Sequence, residues 1–114
     1  MTQTYKDLIV WQKAMDLVVK IYQLTDKFPK EEVYGITSQI RRCAISIPSN
    51  IAEGKLRSSD KETRRFLLIS FGSGGELETQ LEISKRLNKT KDLNYTEVDS
   101  LLDEIMRMLN KMIS

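Results

Sequence analysis

Apolar residues recur along this chain at helical spacing and almost never alternate. Leu8, Trp11, Met15, Val18 and Tyr22 follow one another at intervals of three and four, with Val19 and Ile21 broadening the face. This predicts a first amphipathic helix ending at Phe28-Pro29, because the residue before a proline is pushed out of the α region. A second helix is predicted to begin near Glu31–Gly35. Its stripe is Ile36, Ile40, Cys43 or Ala44, Ile47 and Ile51, and Gly54 is placed at the C′ position. A third opens at Ser59-Asp60-Lys61-Glu62, which has capping-box spacing, and carries Phe66, Leu67, Phe71, Leu77, Leu81 and Leu87 to about Asn88. The fourth starts at Thr96 through Asp99 with the stripe Val98, Leu101, Leu102, Ile105, Met108, Leu109 and Met112.

Short polar connections between four such helices predict an all-α, antiparallel up-and-down four-helix bundle occupying residues 1–114 as one domain. Some stripes are wider than one bundle seam requires. Leu8-Ile9-Val10-Trp11 is a four-residue apolar run, and Phe66, Leu67, Ile69 and Phe71 cover a broad sector. The surplus favours an oligomer.

Ser46-Ile47-Pro48-Ser49-Asn50-Ile51 interrupts the second pattern with a proline, yet Ile40, Ile47 and Ile51 keep their phase across it. A kinked helix is therefore expected, with Ser46 and Asn50 hydrogen-bonding to nearby backbone. A helix that stops and restarts at Pro48 is the alternative. Gly72-Ser73-Gly74-Gly75 poses a similar question. It lacks the Lys-Ser/Thr ending of a phosphate loop and follows no strand. If the helix continues, three glycines cost about 2–3 kcal/mol relative to alanine, which close approach of a neighbouring helix would offset.

Composition narrows the chemistry. The chain has no histidine, which removes the common triads, proton shuttles and zinc or di-iron sites. Cys43 is the only cysteine, has no histidine to activate it, and reads as a small core hydrophobe. Glu76, Glu78 and Glu82 could gather a hard cation, but an ion-pair face is the preferred account, so no cofactor or metal is expected. No run approaches the ~20 apolar residues that span a bilayer, and the first residues do not form a signal peptide. A cytoplasmic protein without membrane partners is expected, with Asn88-Lys89-Thr90 and Asn94-Tyr95-Thr96 as chance sequons.

Net charge is only +2, from 18 basic and 16 acidic residues. Its distribution is uneven. Arg41, Arg42, Lys55, Arg57, Lys61, Arg64 and Arg65 dominate the middle, whereas acidic residues dominate from Glu76 to Glu104. Lys61, Arg64 and Arg65 can share one sector of the third helix, with Lys55 and Arg57 just before it. These seven are the candidate contacts to the phosphates of RNA or, second, DNA. The competing reading is a protein–protein scaffold in which the same cations meet acidic subunit surfaces.

Several stretches together carry a resemblance: Asp7-Leu8-Ile9-Val10-Trp11-Gln12-Lys13-Ala14, Phe28-Pro29, the run from Ser38 through Ser46-Ile47-Pro48-Ser49-Asn50 to Gly54, Arg64-Arg65-Phe66-Leu67, and Gly72-Ser73 through Thr79. The chain resembles, over nearly its whole length, the four-helix bundle family encoded in intervening sequences of 23S ribosomal RNA genes, also labelled S23 ribosomal-protein-like. It is similar, too, to accessory bundle proteins of diversity-generating retroelements. The resemblance implies a ring-like homo-oligomer, a pentamer, and points to Arg41, Arg42, Arg57, Arg64 and Arg65 as nucleic-acid contacts; that the protein is not an enzyme is expected from its residues, which offer no histidine and no activated nucleophile. Cys43 stands where the family commonly has alanine, and Gly74-Gly75 where bulkier residues are usual.

Overall fold

The computed structural model describes residues 4–114. Four helices carry the fold: α1 (Ile9–Thr25), α2 (Ile36–Lys55), α3 (Asp60–Arg86) and α4 (Thr96–Ile113). Short 3₁₀ turns at Tyr5–Asp7 and Lys30–Glu32 precede α1 and α2. Helices α1 and α3 each pack against α2 and α4, and neither diagonal pair meets. With short connections this is the up-and-down bundle, 47 Å long and 24 by 23 Å across. The described segments hold no helix long and apolar enough to cross a membrane.

The core confirms the phase of three stripes and corrects the fourth. Ile40, Ala44, Ile47 and Ile51 of α2, Leu67, Leu77 and Leu81 of α3, and Val98, Leu102, Ile105 and Leu109 of α4 are buried together. In α1 the buried set is Val10, Ala14, Leu17, Ile21 and Leu24. The stripe read from the sequence lies one position round the helix: Trp11 and Val18 are half-buried, and Met15 and Tyr22 are exposed. Two apolar stripes run side by side on α1, and the bulkier one is not the core.

Helix α2 passes through Pro48 without interruption, so the stop-and-restart alternative falls. The contact with α3 is lined by small residues. Gly54 is not a C′ residue; it is buried inside α2, where a Cβ would stand 3.1 Å from both Phe66 Cβ and the Thr63 carbonyl oxygen. Thr63 Oγ1 donates to the Gly54 carbonyl at 2.8 Å. The Ser46 and Ser73 hydroxyls are 2.7 Å apart, and Asn50 Nδ2 donates to the Ser46 carbonyl and hydroxyl at 2.8 and 2.9 Å. Asn50 thus bonds to nearby backbone as expected, whereas the Ser46 hydroxyl meets the side chains of Ser73 and Asn50 instead of backbone.

Helix α3 also continues through its glycines, and only Gly74 has a packing reason: a Cβ there would overlap the Met106 sulfur of α4. Around Gly72 and Gly75 the space is open. Ser59 accepts from the Glu62 amide at 3.2 Å, but the reciprocal half of the expected capping box is absent among the described residues. The Glu62 carboxylate accepts from Arg65 instead. Tyr95, not Thr96, is the residue before α4, and Asn94 Oδ1 accepts from the Thr96 amide.

Candidate nucleic-acid interface

The antiparallel path sorts the basic residues into two groups. Lys55 ends α2, Arg57 lies in the following turn, and Lys61, Arg64 and Arg65 occupy the first turns of α3. All five are exposed and share one end of the bundle. Arg41 and Arg42 stand near the opposite end, Arg41 about 21 Å from Lys55 along α2 at 1.5 Å per residue. Topology adds two cations that sequence spacing did not pick out. Lys6 precedes α1 and Lys111 lies in the last turn of α4, and both elements terminate at the Lys55 end. Only the helix directions reveal this, since more than 40 residues separate either one from the central group.

The arginines at this end have local work. Arg57 pairs with Glu53 at 2.9 Å and Arg65 with Glu62 at 3.1 Å, and their guanidinium carbons lie 4.6 and 4.7 Å from the centre of the Phe66 ring. Phe66 thus orders both arginines by cation–π contact. Arg64 Nε donates at 3.0 Å to the carbonyl of Ile113, placing a cation on the negative end of α4. Lys55 and Lys61 have no ion-pair partner among the described residues, leaving their ammonium groups to solvent or a ligand. Glu53, Asp60 and Glu62 dilute the field, so an extended polyanion would be held by several weak contacts rather than one deep site.

At the other end Arg41 is tied down. Its Nε donates to Thr25 Oγ1 at 2.8 Å, its Nη2 to Asp26 at 2.9 Å, and its guanidinium lies 4.3 Å from the Tyr22 ring centre. Arg42 is exposed beside it. Between α1 and α2 an apolar cavity of about 330 Å³ is lined by Tyr5, Trp11, Met15, Val18, Ile45, Pro48, Ser49 and Ala52. The offset stripe of α1 forms one wall and Pro48 part of the other.

The remaining chemistry is sparse. Cys43 is half-buried; its thiol donates to Glu76 at 3.6 Å, and burial pushes its pKa up, away from thiolate reactivity. Among the described residues no three Cys, Asp or Glu side chains gather to hold a metal ion.

Residues 6–111 match the model of a family described as 23S rRNA-intervening sequence protein. A crystal structure of a protein of unknown function from the S23 ribosomal protein family of Bacteroides thetaiotaomicron VPI-5482 has the same fold. It is 23% identical, with a TM-score of 0.77, over 93% of this chain and 99% of that one. No curated protein matches this chain.

Proposed function

This chain belongs to the 23S rRNA-intervening sequence protein family, and from that premise we propose that it is a non-enzymatic, self-assembling cytoplasmic bundle that binds RNA through phosphate contacts. The observation that carries this reading is the convergence of Lys55, Arg57, Lys61, Arg64 and Arg65 at one end, with the two lysines unpaired among the described residues. Arginines already ordered over Phe66 lose less freedom when they meet phosphate oxygens. A ring of five subunits would repeat the patch, so that weak individual contacts add through multivalency. The exposed apolar lining between α1 and α2 supports self-assembly and also favours the second reading, a scaffold whose partners are proteins alone.

The test is solution mass with and without structured RNA across a salt series. Binding should fall as salt rises. Replacing Lys55 and Lys61 by glutamine should lower the magnitude of the log–log salt slope by about 1.4–1.8 and leave the assembly intact. RNA affinity indifferent to salt, or no RNA association at low salt, would overturn the nucleic-acid reading and leave the scaffold.

A further inference from the structure

Two faces of the bundle carry apolar surface that the described chain leaves uncovered, and they differ in relief and in charge. The first is the groove between α1 and α2. The cavity beside Pro48 and a second concavity, of about 380 Å³, share Ile45 in their walls, and the second continues past Tyr22 and Val33 to Arg42. One side of the groove is the row of large side chains Trp11, Met15, Val18 and Tyr22, which spans roughly 16 Å of α1. Met15, Tyr22, Val33 and Ile45 are 37–46% exposed. No carboxylate lines either concavity, and Arg42 has no ion-pair partner among the described residues.

The second is the outward side of α3. Leu68, Gly72, Gly75 and Thr79 follow one another at the same intervals as the α1 row, but beyond Leu68 the side chains are small or absent. The space around Gly72 and Gly75 is open, and Leu68, Ile69 and Ile83 stand 41–45% exposed beside it. Glu76 and Glu82 flank the row on its two sides, and neither has an ion-pair partner among the described residues. From Phe66 to Ser84 the helix has no base.

Each face lacks what the other has. A two-fold contact of the groove with its own copy would bring no carboxylate to Arg42 and would set large side chains against large ones. A two-fold contact of the α3 face with its copy would gather glutamates without a base between them. The crossed contact joins Arg42 to the glutamates and lays the raised row of α1 along the glycine hollow of α3, as ridges pack into grooves.

We propose that the α1–α2 groove of one copy receives the outward face of α3 from a second copy, so that every copy uses each face once. The proposal rests on the self-assembly in the function proposed above and names its two surfaces. Such a heterologous contact passes from copy to copy and closes into a ring where its rotation permits.

The test uses two full-length variants that each spoil one face. Met15→Glu puts a carboxylate in the groove, and Leu68→Glu puts one on α3. Each alone should sediment as a monomer with the parent's helix content. Their equimolar mixture should sediment at twice the monomer mass and no higher, because one intact groove and one intact α3 face remain. Gly72→Gln, which lengthens a side chain in open space, should replace Leu68→Glu in the mixture with the same result. At low salt Arg42→Glu should lower the assembled fraction, and adding Glu76→Lys and Glu82→Lys to the same chain should recover it. A mixture that stays monomeric while the parent assembles, or either variant alone at parental mass, would overturn this pairing and leave self-assembly to other faces. A parent that is monomeric at every concentration would remove self-assembly itself, and the pairing with it.

Discussion

Ser70 Oγ donates at 2.9 Å to the carbonyl of Ile47, the residue immediately before Pro48, at a fully buried point of the α2–α3 contact. The bond ties the proline-containing turn to the neighbouring helix. Ser70→Ala removes the donor but keeps the small volume, so a loss of about 1 kcal/mol is expected in urea unfolding. Ser70→Val adds bulk at a site with no exposure and should cost about 1–3 kcal/mol.

That contact also explains how far the sequence could be read. Period and phase located α2, α3 and α4, because their buried apolar residues recur on one face at helical spacing, although Ile45, Leu68, Ile69 and Ile83 stand exposed outside it. They failed for α1, where two apolar stripes lie side by side and the one with the larger side chains, Trp11, Met15, Val18 and Tyr22, is not the buried one of Val10, Ala14, Leu17, Ile21 and Leu24. Ser70, Gly74 and Ser84 occupy core positions of α3 without any hydrophobic signal, since they are chosen for closeness. The basic group from Lys55 to Arg65 was legible because it is local. The pairing of Arg64 with Ile113 exists only in three dimensions.

Pro48 gives an unusual expectation. Proline inside a helix is about 3 kcal/mol less favourable than alanine, and Pro48→Ala would restore a donor for the Ala44 carbonyl. Against this, about two buried methylenes are lost, at about 0.8 kcal/mol each, and the unfolded chain gains freedom. The variant should be as stable as the parent or up to about 1 kcal/mol more stable by thermal or urea unfolding. A loss greater than about 1 kcal/mol would show that the ring's packing against the α1 wall outweighs its backbone cost.

The three glycines of α3 should separate cleanly. Gly72→Ala and Gly75→Ala add a methyl group in open space and should each stabilise by about 0.5–1 kcal/mol through helix propensity. Gly74→Ala gains the same propensity but must displace the Met106 side chain. Methionine yields more readily than backbone, so its unfolding free energy should fall about 1–2 kcal/mol below that of the other two variants. Equal effects at all three positions would remove the packing role assigned to Gly74.

Alkaline pH should weaken the fold through the α3–α4 connection. Lys85 has a raised pKa from its 2.6 Å bond to Asp99, and burial raises that of Tyr95, whose hydroxyl donates to the Thr90 carbonyl at 2.9 Å. A raised folded-state pKa means that the native protein holds its proton where the unfolded chain has released it. The contribution is complete below the unfolded values, about 10 for both groups, and is lost as pH climbs through the higher folded values. Stability by urea titration should therefore decline above about pH 10, and Tyr95→Phe should flatten part of that decline. An unchanged alkaline slope in Tyr95→Phe would locate the effect elsewhere.

Met15 tests whether the offset stripe of α1 is a subunit contact. It is 42% exposed and lines the apolar cavity with Trp11, Val18 and Ile45, so a carboxylate there meets solvent in a monomer and apolar surface in an assembly. Met15→Glu should change the monomer's unfolding free energy by no more than about 0.5 kcal/mol. It should lower the mass measured by sedimentation, because an unpaired charge buried at an interface costs far more than one left in water. RNA affinity should fall with the mass, through lost multivalency, while the salt slope per bound subunit stays the same. The paired substitution of Lys55 and Lys61 should do the reverse, reducing the slope at unchanged mass. A Met15→Glu protein of parental mass would place the subunit contact on another face, of which the open glycine surface of α3, between Leu68 and Ile83, is the next to substitute.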